Sequence, residues 1–158
     1  MEFSPEPDEL FLAGAGCFDG AGCRDVGQPS GMTQGELIEA ALSKSVIGAF
    51  FEVYNTLGYG FLENLYVKAL EKELIARGHS VSREVGVRVM YKGEQLGLQK
   101  LDLIVDDRLV VETKATQDLH KSATRQLFSY LHATNLEIGL LLHFGPAARF
   151  YPVICRHR

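Results

Sequence analysis

The chain has 158 residues, of which 46% are hydrophobic and 23% charged, and a formal net charge of -4. That is long enough for one domain with a real core and short for two; no apolar run reaches membrane-spanning length, and the start Met1-Glu2-Phe3-Ser4-Pro5-Glu6 lacks the basic region and apolar core of a secretory signal, so a cytoplasmic protein without a membrane partner is expected. Residues 1–31 carry -5 of the charge and residues 32–158 carry +1, so the folded part can meet a phosphate backbone through local Lys or Arg but has no basic tract for tight nonspecific binding.

Residues 1–31 are rich in Gly and Pro, show no periodicity and read as a disordered leader, with the domain over 32–158. Met32 stands just before the first patterned segment, which makes 1–31 a candidate upstream extension of a reading frame that functionally begins at Met32. Cys17, Cys23 and Cys155 are an odd number without a familiar zinc spacing, so reduced thiols are the default over a Cys17/Cys23/Cys155/His157 metal site.

Thr33-Gln34-Gly35-Glu36 has the capping-box pattern and opens a helix whose apolar face combines Leu37, Ala41, Gly48 and Phe51 with Ile47, Phe50, Tyr54 and Leu57. Gly58-Tyr59-Gly60 stops it. The spacing predicts a second helix from about Phe61 to Arg77, with Leu62, Leu65, Tyr66, Ala69, Leu70 and Leu74 inward, Gly78 as C-terminal cap, and Lys68, Lys72 and Arg77 on a solvated face.

From Val81 the period changes to two, giving one strand or two short ones bent at Gly86, then a Lys92-Gly93-Glu94 turn and a strand over Gln95–Val105. A hairpin through Asp106-Asp107-Arg108 continues to Ala115. A third helix is expected over Gln117–Thr134 with Asn135 as cap, then the apolar strand Ile138–Phe144 and a last strand Arg149–Ile154. The order α-α-β-β-β-α-β-β implies an α/β (α+β) domain with a mixed central sheet flanked by helices on both faces.

The hairpin carries the chemistry. Asp102, Glu112 and Lys114 interrupt runs that otherwise look buried, and charges in a buried strand need a reason. Glu112 and Lys114, two apart, share a face. A three-residue turn centred on Asp107 sets Asp102 opposite Glu112, whereas a two-residue turn pairs Asp102 with Val111. Two adjacent carboxylates repel unless a divalent cation such as Mg²⁺ lies between them, and a lysine beside that cation can orient an attacking water and stabilise charge on a phosphate. The competing reading is a cross-strand salt-bridge group on a surface hairpin; the hydrophobic residues Leu101, Leu103, Ile104, Val105, Leu109, Val110 and Val111 around the charges weigh against it.

In its hairpin the chain resembles the PD-(D/E)xK nuclease superfamily, with Asp102, Glu112 and Lys114 matching the catalytic acid, second acid and lysine. Gln126-Leu127-Phe128-Ser129-Tyr130 matches the QxxxY motif of RecB-type members, and Gly60-Phe61-Leu62-Glu63-Asn64-Leu65-Tyr66 matches the motif of the bacterial GxxExxY family. The resemblance runs from about Ser45 to Phe144. It implies a restriction-endonuclease-like core and a nuclease using Mg²⁺ or Mn²⁺ to hydrolyse phosphodiester bonds of DNA, or RNA, with Asp102 and Glu112 as metal ligands and Lys114 and Gln126 in the catalytic set. It also implies a place for Glu63 in the metal shell; its alternative is a carboxylate interacting with a helix N-terminus. Tyr66 and Tyr130 read equally as core residues with satisfied hydroxyls. Leu101 replaces the superfamily's proline, and His143 stands where asparagine is expected and reads as structural. The functional alternative is a module that binds nucleic acid or protein on the same fold without turnover, and beyond it a plain interaction domain; a homodimer or protein partner is left open.

Overall fold

The computed structural model describes residues 34–157. Helix α1 spans Gln34–Leu57 and α2 Glu63–Ala76; strands β1 Val81–Tyr91, β2 Glu94–Val105 and β3 Leu109–Lys114 follow, then α3 Ser122–Ala133, β4 Ile138–Phe144 and β5 Ala148–Ile154. The expected element order holds, and the Thr33 cap and the leader lie outside the described residues.

The five strands form one sheet in the order β1-β2-β3-β4-β5, antiparallel except for the parallel pair β3–β4. The parallel pair requires a crossover, and α3 supplies it. Helices α1 and α2 cover one face, where Val46, Phe50, Tyr66 and Leu70 meet Leu103, Val111, Leu140 and Phe144. The opposite face takes α3, whose Ala123, Leu127 and Leu131 meet Val110 and Leu141. Because β4 is enclosed on both faces, its residues from Gly139 to Phe144 are all buried and the run needs no polar alternation.

Several helix details differ from the periodicity. Leu62 is 73% exposed and serves as the N-cap residue of α2, and Leu65 is exposed as well; Tyr66, Val67, Leu70 and Leu74 make the buried stripe. On α1 the stripe runs through Leu42, Val46, Ala49, Phe50 and Val53, leaving Ala41 exposed. Both sequences offer two overlapping apolar stripes, and the sheet chooses between them. Helix α3 begins at Ser122, five residues later than expected, because Thr116 Oγ1 donates to Asp118 O and Ser122 N to His120 Nδ1, holding the preceding residues in turns. Its C-cap is Thr134, whose N–H reaches Tyr130 O, and not Asn135.

Gly78 does end α2, at φ 89, with His79 N donating to Leu74 O and Gly78 N to Ile75 O. This pair of bonds satisfies two terminal carbonyls and requires a left-handed residue at Gly78. β1 is a single strand. It is irregular not at Gly86 but between Val89 and Met90, and at Glu84, where φ is 54.

Candidate active site

The site is set by the Asp106-Asp107-Arg108 turn. Asp106 and Asp107 both have positive φ, 52 and 55, and Arg108 N donates to Val105 O. Asp106 is also tied to the end of α2: its Oδ1 accepts from Ser80 N at 2.8 Å, its Oδ2 lies 2.7 Å from His79 Nδ1, and His79 Nε2 lies 2.7 Å from Ser45 Oγ on α1. These contacts pin a three-residue turn, and the pairs Val105↔Leu109, Ile104↔Val110 and Leu103↔Val111 follow from it. The register is the one that brings Asp102 level with Glu112.

The ladder stops one position short of those two acids. Thr113 N–H is taken by Asp102 Oδ2 at 2.8 Å, and Thr113 Oγ1 donates to the same oxygen at 2.7 Å. Asp102 is thus fixed by one oxygen, while its Oδ1 has no such contact with Thr113. β1 is distorted at the same level, since Glu84 lies between the paired residues Arg83↔Leu103 and Val85↔Leu101 in a left-handed conformation. Leu101 and Leu103 consequently pack on opposite sides of the sheet although they are two residues apart.

Glu112 is 4% exposed. Its Oε1 lies 3.4 Å from Lys114 Nζ, and its Oε2 is buried without a hydrogen-bond partner among the described residues. Burial, followed by the negative charge of Asp102, pushes its pKa up to about 7, against the opposing pull of Lys114 and with a further upward push from Glu63. A buried acceptor without a donor costs about 1–3 kcal/mol, and this one stands among three acids and one lysine. The residues therefore fit a divalent cation: hard oxygen donors, one of them orphaned, where a positive charge relieves the repulsion.

Glu63 reaches the site from the first turn of α2, where its Oε2 accepts from Ala115 N at 3.3 Å, one residue beyond Lys114. The loop before it is built by Tyr66, whose hydroxyl donates to Gly58 O at 2.5 Å and accepts from Phe61 N at 3.2 Å, while its ring stacks on Phe144 at 4.1 Å. Gly60 within that loop has φ 115. Tyr66 is therefore a core residue with a satisfied hydroxyl whose structural effect is to set where Glu63 starts.

On the α3 side, Gln126 Nε2 donates to Tyr130 OH at 2.5 Å. Burial raises the Tyr130 pKa, and Glu112 is the next contributor, which puts the phenol within electrostatic reach of the acids. Gln126 itself is exposed and contacts Tyr130 rather than a carboxylate. His143, buried and paired in register with Lys114, holds the chain after the lysine through Nε2 to Thr116 O at 2.7 Å. The structural role expected of it is thus the observed one. Sequence reasoning passed over Thr113; its signal was a hydroxyl between Glu112 and Lys114 on the opposite parity of the strand.

The sequence profile of the PD-(D/E)XK nuclease superfamily matches residues 40–153, which contain every element from most of α1 to β5. No curated protein matches the sequence. The solved structure of SSO0001 is similar over 77% of this chain and 61% of its own, at 18% identity and a TM-score of 0.49; this chain thus spans less than two thirds of that protein.

Proposed function

Because the chain belongs to the PD-(D/E)XK nuclease superfamily, we propose that it is a metal-dependent nuclease, hydrolysing phosphodiester bonds of DNA, with RNA the other candidate substrate, and that within the superfamily it is of the GxxExxY kind. The observation that carries this reading is the orphaned Glu112 Oε2 beside Asp102 and Lys114. Asp102 and Glu112 would hold Mg²⁺ or Mn²⁺, with Glu63 completing the acidic set. The bound cation supplies Lewis-acid polarisation of the scissile phosphoryl group and offsets the charge that develops on it. Lys114, partly exposed at 24% and next to Glu112, orients the attacking water and donates to the phosphoryl oxygens as they gain charge. Thr113 keeps Asp102 in place, and Tyr130 and Gln126 line the approach from α3.

The alternative reading, a binding module without turnover on the same fold, has in its favour the near-neutral charge of +1 over residues 32–158. One experiment separates the two. Purified protein is incubated with single- and double-stranded DNA and RNA, with Mg²⁺ or Mn²⁺ or a chelator, beside Lys114→Ala and Asp102→Ala. Metal-dependent cleavage lost in both variants is the expected outcome. Cleavage that survives both substitutions removes these residues from the mechanism, and metal binding without cleavage selects the module.

A further inference from the structure

At the far end of the sheet from the acidic pocket, His132, Cys155 and His157 bring one ligand atom each to within 4.8 Å of one another. We infer that these three residues form a second metal site, for a borderline-soft cation of which Zn²⁺ is the best match, holding the end of α3 to the end of β5. The inference does not depend on the reading of the acidic pocket.

The three residues come from separate places. His132 lies in the last turn of α3, Cys155 directly follows β5, and His157 is two residues further on. Ile154 pairs with Ile138, and Ile138 with Leu109 at the start of β3, so the cluster is separated from Glu112 by at least three residues of that strand, about 10 Å at ~3.3 Å per residue. It therefore cannot share a cation with Asp102 and Glu112.

Two further features point to a ligand. His157 Nε2 lies 3.1 Å from Leu136 O. A carbonyl only accepts, so Nε2 carries the proton and Nδ1 presents its lone pair. Metal-ligating histidines are held in this way, with the second ring nitrogen donating to a backbone carbonyl. The rings of His132 and His157 also lie side by side, 6.2 Å apart and within 26° of parallel, beside a thiol whose residue is buried and whose backbone N–H is anchored to Glu137 O at 2.8 Å. One sulfur and two imidazole nitrogens are the donor set of a three-ligand zinc site with a fourth position for water. Tetrahedral Zn²⁺ sets such atoms about 3.5 Å apart. Closing the cluster from its 4.8 Å limit requires movement of about 1 Å, and two of the three side chains are exposed and can make it.

The test uses the full chain, stripped with chelator and titrated with Co²⁺ as a spectroscopic substitute for Zn²⁺. The expected result is a thiolate-to-cobalt charge-transfer band and the intense visible bands of tetrahedral cobalt that saturate at one Co²⁺ per chain and are bleached by stoichiometric Zn²⁺, any Co²⁺ held by the acidic pocket contributing no thiolate band. Zn²⁺ at a hundredfold excess over its Kd should raise Tm by about 5–10 °C. Cys155→Ala abolishes the charge-transfer band, and His132→Ala and His157→Ala, changes at exposed positions that leave the fold intact, each weaken Co²⁺ binding at least tenfold. Asp102→Asn and the double variant Cys17→Ser/Cys23→Ser retain the band. A wild-type protein without the band overturns the inference, as does a band that survives Cys155→Ala, unchanged affinity in both histidine variants, or loss of the band in the Cys17/Cys23 double variant.

Discussion

Thr113 donates two hydrogen bonds to a single oxygen of Asp102, one from its backbone N–H and one from its hydroxyl, at the point where β2 and β3 stop pairing. The carboxylate thereby replaces a strand carbonyl as the partner of a buried backbone donor and is locked in direction before any cation arrives. A threonine that looks like ordinary strand filler is the residue that orients an acid of the proposed site.

Thr113→Val, nearly the same shape, removes the hydroxyl and keeps the backbone bond. The expected cost is about 1–2 kcal/mol of stability and a 10–100-fold loss of metal affinity. Chemical denaturation and isothermal titration with Mn²⁺ check the two separately. An unchanged metal affinity would show that the N–H alone suffices to orient Asp102.

Glu112 makes the metal-free protein pH-dependent. Its folded pKa of about 7 lies above its ordinary value of 4.5. Below pH 4.5 the group is protonated in both states and the stability it contributes is complete; between 4.5 and 7 only the unfolded chain releases the proton, so stability falls as pH rises and the loss is complete above 7. The shift corresponds to about 3 kcal/mol at 1.36 kcal/mol per unit. In chelator, urea unfolding should give lower stability at pH 8 than at pH 5, and Glu112→Gln should flatten that difference. Metal affinity should rise over the same interval, because the cation competes with the proton.

Tyr66→Phe removes the hydroxyl that binds Gly58 O and Phe61 N while keeping the stack on Phe144. A loss of about 1–2 kcal/mol in stability is expected, measured as a lower Tm. The Gly58–Phe61 loop also sets the start of α2, so cleavage should fall through displacement of Glu63, and Glu63→Gln added to Tyr66→Phe should then cost less than in the wild type.

Gln126 and Tyr130 are bonded to each other, which makes their effects coupled. If Gln126 acts by holding the Tyr130 hydroxyl, Gln126→Ala and Tyr130→Phe reduce kcat by similar factors, on the order of tenfold, and the double variant is no worse than either alone. Multiplicative losses in the double variant would give Gln126 a contact of its own with substrate.

The element order and the occurrence of Asp102, Glu112 and Lys114 on one hairpin were readable because they rest on local rules. Period-two runs, the Gly78 helix end and charges inside an apolar hairpin are encoded within a few residues of chain. The inward faces of α1 and α2 were less readable, as Leu62, Leu65 and Ala41 illustrate: an apolar residue is equally apolar when exposed, and only the angle at which the helix meets the sheet selects the stripe.

By itself, then, the sequence determined that two acids and a lysine occur on one hairpin, and it narrowed their register to two choices. Tertiary structure decided between them. Asp106 is held by Ser80 and His79, and His79 in turn by Ser45, so the turn length depends on residues 26 and more positions away. The same is true of the unpaired Glu112 oxygen and of the meeting of His132, Cys155 and His157. Burial and convergence are properties of packing between distant segments, and a spacing rule that counts along the chain carries no term for them.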